Sequence, residues 1–270
     1  MKRKAVIVGI GDYGDAQPRL TASITEAEHW KNLLIGHYYF QASDIRMLCN
    51  ERATKLSIME RLEWLFTDVS GGDQLFFSFA GHGARLRRRN PNGIVHDNMD
   101  EAIVTYPEPG QDIEQYSLYD EDLARLVLLS RLPTFADLTF VLDCCFGGGF
   151  NLQERDQPIV RIPPDIRHRE AAGTYTYTAR FGECRRLLRN GQNPVIIASA
   201  PKSEQSPTES FAGVRRTVFG YHAIANLCAL PQQSYARLQQ TLQSKMLDLQ
   251  IENAPVLSGN SARFDHPFLT

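Results

Sequence analysis

An α/β fold, with a mostly parallel sheet between two layers of helices, is predicted by three observations. Short apolar runs rich in Val, Ile, Leu and Phe alternate with longer segments of helical periodicity. Two of those runs end in a reactive side chain flanked by glycines, at the strand ends where open α/β sheets carry their chemistry. The 270 residues, 43% hydrophobic and 22% charged, suit a globular chain long enough for one large α/β domain or two small ones.

Residues 4–9 (KAVIVG) read as a first buried strand. A glycine-rich loop leads to a helix over 23–36, opened by Ser23 or Thr25 with Glu26 and Glu28 in its first turn. Residues 45–49 form a short strand. Residues 53–69 place Leu56, Met59, Leu62, Leu65 and Phe66 at helical spacing, with Gly71-Gly72 as the stop. A strand over 73–80 precedes His82, and 84–100 is a polar loop rich in Arg and Asn. A strand over 102–106, a helix over 119–132 ended by Pro133 and a strand over 138–142 follow. Residues 151–192, rich in Arg and Pro, have no clear period and are too long for an ordinary connection. Beyond them come a strand over 194–200 and helices over 218–230 and 234–251 separated by Pro231.

The formal net charge of −2 gives no general reason to expect nucleic acid or an anionic membrane as partner. No apolar run approaches the length of a membrane span. The basic start Met1-Lys2-Arg3-Lys4 is followed by too short an apolar run for a signal peptide. Five cysteines, two of them adjacent, make a poor disulfide framework and suit a reducing cytoplasm.

The two strand-end motifs carry the chemistry. Phe77-Ser78-Phe79-Ala80-Gly81-His82-Gly83 delivers an imidazole, and Phe140-Val141-Leu142-Asp143-Cys144-Cys145-Phe146-Gly147-Gly148 delivers a thiol. Taken singly, such a histidine is commonly structural and such a cysteine a small buried hydrophobe. Together, on neighbouring strands, they make the minimum apparatus for nucleophilic catalysis. His82 takes the thiol proton, the thiolate attacks a carbonyl, and water releases the acyl-enzyme. The backbone N–H groups of Gly83 and Cys145 are the natural oxyanion donors. Cys145 is favoured over Cys144 because it lies nearer the glycines, leaving Cys144 to point at the core. No third residue is evident as an orienter of His82.

The chain resembles caspase-like cysteine peptidases, closest to metacaspases and their prokaryotic relatives. The resemblance runs through "AVIVGIGDY", "LTASITEAEHW", "DQLFFSFAGHG", "DEAIV", "LTFVLDCC", "VIIASA" and the ending "HPFL". It implies a caspase-like three-layer α/β/α sandwich over 1–270, with a large-subunit-like part over 1–150, a linker or processing segment over 151–192 and a small-subunit-like part over 193–270. It maps the family's dyad onto His82 and Cys145. It implies cleavage of protein or peptide substrates after Arg or Lys, read by acidic residues at Asp143 and at Glu26, where the family commonly has Asp. This chain departs from the family at Phe146-Gly147-Gly148, where histidine-serine-glycine is frequent.

Many relatives need calcium; here Asp97, Asp100 and Glu101 supply oxygen ligands of suitable hardness, without EF-hand spacing. The cofactor expectation is that none is required and that Ca2+ is a possible activator. The basic run Arg85, Arg87, Arg88 and Arg89 reads as a solvated loop. A peptidase cutting after arginine has candidate processing sites in itself at Arg155, Arg161, Arg167, Arg169, Arg180, Arg185, Arg186 and Arg189. The resemblance thus implies a latent enzyme freed by processing or by an activating protein partner, in stress or defence responses. Two rivals stand beside it: a catalytically inactive caspase-fold interaction module, and a dinucleotide-binding loop at Gly9, Gly11 and Gly14. The second is disfavoured because Pro18 falls where the fingerprint needs a helix.

Overall fold

The computed structural model describes residues 1–17, 19–87, 99–133, 136–144, 194–199, 207–251 and 254–269. At its centre is a six-stranded sheet of β1 (Arg3–Gly9), β2 (Ile45–Cys49), β3 (Gln74–Ala80), β7 (Asp137–Asp143), β8 (Val195–Ala198) and β11 (Val256–Gly259), in the order β11-β8-β7-β3-β1-β2. All neighbours are parallel except β11, which runs antiparallel to β8. Each central strand is apolar on both faces because both faces are covered. Ala5 and Ile7 of β1 join the core under α1 (Ala22–Tyr38), with Trp30, Leu33 and Leu34. Val6 and Val8 join the opposite core, with Ile58 and Leu62 of α2 (Lys55–Phe66) and Leu123 and Val127 of α4 (Asp120–Leu129). α5 (Val218–Ala229) and α6 (Tyr235–Asp248) share the α1 side through Phe219, Leu227, Leu238 and Leu242. The result is the three-layer sandwich expected.

Two smaller sheets depart from the sequence expectation. The polar loop expected over 84–100 begins as a strand, β4 (Gly83–Arg87), which pairs antiparallel with β5 (Met99–Val104). β5 pairs in turn with β6 (Ser117–Tyr119), which follows the one-turn helix α3 (Ile113–Tyr116). Arg85 is therefore no solvated residue: it is buried, directly across the ladder from Glu101, with its Nε 3.7 Å from Glu101 Oε1. Arg88 and Arg89 lie outside the described residues. β9 (Thr208–Phe211) and β10 (Val214–Thr217) form a hairpin ahead of α5.

Local signals explain most boundaries. Thr54 caps α2 by accepting from Ser57 N at 3.3 Å, and Thr217 caps α5 by accepting from Gly220 N at 3.0 Å. α2 stops at Phe66, ahead of the glycines, and Gly72 (φ +84°) instead forms the left-handed turn into β3. α1 begins at Ala22, with no acidic residue in its first turn, so Glu26 falls one turn later and faces inward. No helix among the described residues is long and apolar enough to cross a membrane.

At the end of β7 remote from the site, Asp137 is 3% exposed and pairs with Arg263. Burial pushes its carboxyl up to about 6, although Arg263 pulls the other way. An acid raised in the folded state stabilises the fold while protonated. That contribution is complete below its ordinary value near 4 and is lost as pH rises through about 6. The stability of the wild type relative to Asp137→Asn is therefore expected to fall by up to about 3 kcal/mol across that window, measured by urea unfolding. A difference that does not change with pH would contradict the assignment.

Candidate active site

β3 and β7 lie side by side with Ala80 opposite Asp143, and Gly81 N donates to Asp143 O at 3.3 Å. His82 leaves the sheet two residues beyond Ala80; Cys145 stands two residues beyond Asp143 in sequence and lies outside the described residues. The expected neighbouring strands are thus present, and the imidazole is half-buried at the end of one of them. Cys144 is buried at 1% exposure in the core, and its carbonyl accepts from Ser199 Oγ at 3.5 Å.

The backbone of His82 is held by a device the sequence did not reveal. His82 N donates to Tyr13 Oη at 2.9 Å, and that hydroxyl donates onward to Val104 O at 3.1 Å. Val104 N donates directly to His82 O at 2.9 Å. In a regular antiparallel ladder His82 and Val104 would exchange two direct bonds; here the Tyr13 hydroxyl is inserted into one of them. The same ring lies 5.1 Å from the imidazole, tilted by 49°. Only glycine fits at position 81, where a Cβ would stand 2.5 Å from Tyr13 Oη and 2.8 Å from Phe79.

By the alternation of the ladder, Gly83, opposite Ile103, falls at a non-hydrogen-bonded position. β5 therefore does not consume its N–H, which an oxyanion donor requires. Tyr13→Phe removes the inserted hydroxyl and is expected to lower kcat about 10-fold with KM nearly unchanged, as the histidine shifts against its substrate. Steady-state kinetics of wild type and Tyr13→Phe checks this; a change in KM alone would point to a role in binding instead.

Asp143 and Glu26 are brought into one hydrogen-bonded string. Thr217 Oγ1 donates to Asp143 Oδ2, and Thr217 N donates to Glu26 Oε1 at 3.0 Å. Glu26 is fully buried and also accepts from Arg216, through Nε at 2.7 Å and Nη2 at 2.9 Å. Asp143 is 4% exposed. Thr217 and Arg216 were not singled out in the sequence, although Arg-Arg-Thr directly before an apolar helix carries a visible capping signal at the threonine.

Of the calcium candidates, Asp97 lies outside the described residues, and Glu101 has its carboxylate fully buried against Arg85 rather than open to an ion. No three potential metal ligands gather among the described residues. Glu101 does not fit a calcium site. The arginines at 155, 161, 167, 169, 180, 185, 186 and 189 lie outside the described residues.

The glycines after β1 serve packing. A Cβ at Gly9 would stand 2.7 Å from Ser23 O, and one at Gly11 would stand 2.8 Å from Leu20 O. The N–H groups of Gly11 and Asp12 donate to Asn50 Oδ1, at 3.0 and 3.1 Å, where a nucleotide fingerprint would offer its backbone amides to phosphate.

Comparison with known proteins decides the family: the profile described as metacaspase, peptidase C14 domain, matches residues 3–152. The chain belongs to the metacaspase family. Among named metacaspases, it is 25% identical to Metacaspase-1 of Candida glabrata over 91% of this chain and 69% of that protein. It is 30% identical to Metacaspase-1 of Arabidopsis thaliana over 54% of this chain and 40% of that protein. Against Metacaspase-1 of Kluyveromyces lactis the match covers only 34% of the relative, at 29% identity. The fold of this metacaspase is shared with a solved protein of Geobacter sulfurreducens (TM-score 0.68, 14% identity, 100% and 99% of the two chains). It is also shared with caspase-1 of Spodoptera frugiperda (TM-score 0.57, 10% identity, 95% and 88%).

Proposed function

We propose that this metacaspase chain is a cysteine endopeptidase that cleaves after Arg or Lys through a Cys145–His82 dyad. The observation that carries the reading is the register of β3 and β7, with Gly81 N bonded to Asp143 O, which sets the His82 segment against the segment leading to Cys145. His82 accepts the Cys145 proton, the thiolate sulfur bonds to the scissile carbonyl carbon, and the oxyanion is met by the N–H groups of Gly83 and Cys145. The protonated imidazole then gives its proton to the leaving amine. Water, deprotonated by the same histidine, hydrolyses the thioester and restores the thiol. An acidic site that includes Asp143 selects the basic residue before the scissile bond.

The intact chain is latent, freed by cuts at arginines in 151–192 or by an activating protein. A panel of fluorogenic peptides differing only in the residue before the bond tests the reading, with wild type and Cys145→Ala each cut by limited proteolysis in 151–192 and assayed with and without calcium. Cleavage after Arg or Lys that vanishes in the variant is expected. Cleavage that survives in Cys145→Ala would overturn it.

A further inference from the structure

The carboxylate of Glu26, expected to meet a substrate's basic side chain, already holds a guanidinium from its own chain. Arg216 Nε and Nη2 form a two-pronged fork onto its two oxygens, at 2.7 and 2.9 Å, and Thr217 N adds a third donor at 3.0 Å. Glu26 is 0% and Arg216 6% exposed. The guanidinium carbon lies 5.3 Å from the centre of the Tyr221 ring, which covers it with an electron-rich face. A Cβ at Gly220 would collide with the Glu26 carboxylate, so only glycine lets the start of α5 close over the pair. Carboxylate, backbone donor, aromatic cover and glycine together form a built guanidinium site.

A buried pair of this geometry is not readily surrendered to a ligand arriving from water, because separating it strands two charges in the interior. The position of Arg216 also has a consequence for its neighbour. Thr217 is held by Glu26 through its N–H, and its hydroxyl donates to Asp143. The pair therefore holds a side chain that hydrogen-bonds the Asp143 carboxylate.

We infer that Arg216 is a resident guanidinium that closes the Glu26 site, so that selectivity for a basic residue rests on Asp143, with Glu26–Arg216 a positioning pair acting through Thr217. The inference rests on the endopeptidase reading above, and it makes Glu26 an indirect contributor to specificity.

Two measurements test it. In the first, thermal unfolding is followed with and without methylguanidinium ion. Arg216→Ala is expected to regain several degrees of melting temperature when the ion refills the site. The wild type, and the double variant Glu26→Leu/Arg216→Met with no carboxylate to refill, should gain nothing. An equal response in all three would overturn the resident-guanidinium assignment. In the second, kcat/KM is compared for paired peptides carrying Arg or Gln before the scissile bond. The double variant has an apolar pair of similar bulk in place of the ion pair but no acceptor for Thr217 N, and it should lose only about threefold of the wild-type Arg-to-Gln preference. Asp143→Asn should lose it by about 30-fold or more. Loss of the preference in the double variant to the extent seen in Asp143→Asn would show Glu26 reading substrate directly and overturn the inference. If wild type already cut at an arginine in 151–192, and so no longer latent, cleaves neither peptide, the endopeptidase reading fails while the methylguanidinium experiment still decides the role of Arg216; should Arg216→Ala fail to fold, the paired-peptide comparison decides it.

Discussion

His82→Ala is expected to lower kcat/KM for peptide hydrolysis by about 10²–10⁴-fold, the usual contribution of a positioned general acid–base, while barely changing the melting temperature. The second half of that expectation comes from the geometry. The interactions that fix this corner of the fold belong to the backbone of residue 82, whose N–H meets the Tyr13 hydroxyl and whose carbonyl accepts from Val104. Alanine keeps both. What is lost is an imidazole at a half-buried strand end, tilted against the Tyr13 ring. Kinetics and thermal unfolding of the same preparation check the two halves together. A large fall in melting temperature with proportionate loss of activity would mean that His82 is structural.

Glu26→Ala is expected to have the largest effect on stability, about 3–5 kcal/mol, because it leaves Arg216 charged and buried with its partner gone. It also removes the acceptor of Thr217 N and so loosens the cap of α5. In a chain of this size such a loss corresponds to a fall of roughly 10 °C in melting temperature. The paired replacement by Leu and Met should recover most of it, since well-packed apolar side chains of similar volume substitute for a buried ion pair at little cost. Urea unfolding of the single and double variants measures the difference. A fall below about 1 kcal/mol for Glu26→Ala would show that the pair is solvated.

Much of this architecture was legible because the central strands are covered on both faces. That demands predominantly apolar runs, which the sequence displays within 4–9, 73–80 and 138–142. The strands outside that sheet were hidden for the complementary reason. β4 has only a short apolar side around Ala84 and Leu86, and its arginine is buried by a partner, Glu101, sixteen positions away in sequence. The β9–β10 hairpin is partly exposed and lacks an apolar run. In the site, His82 and Cys145 announce themselves through reactive side chains beyond strand ends, and Asp143 enters through the family resemblance. Tyr13 and Arg216 do not, because their roles depend on groups far along the chain: Val104 for the one and Glu26 for the other. Glu26 was legible as an acid near a helix start, but its partner was not. The family resemblance linked it to substrate, and the fold shows its carboxylate already held by Arg216.

The central claim is tested most directly by reacting the protein with a peptidyl-arginine acyloxymethyl ketone and locating the adduct by mass spectrometry. Among the described cysteines the background should be low: Cys144 is buried, and burial pushes the Cys49 and Cys228 thiols up, leaving little thiolate at neutral pH. One probe mass on Cys145 in the wild type, and none in His82→Ala, is the predicted result. Labelling of another cysteine, or equal labelling of Cys145 with and without His82, would contradict the dyad.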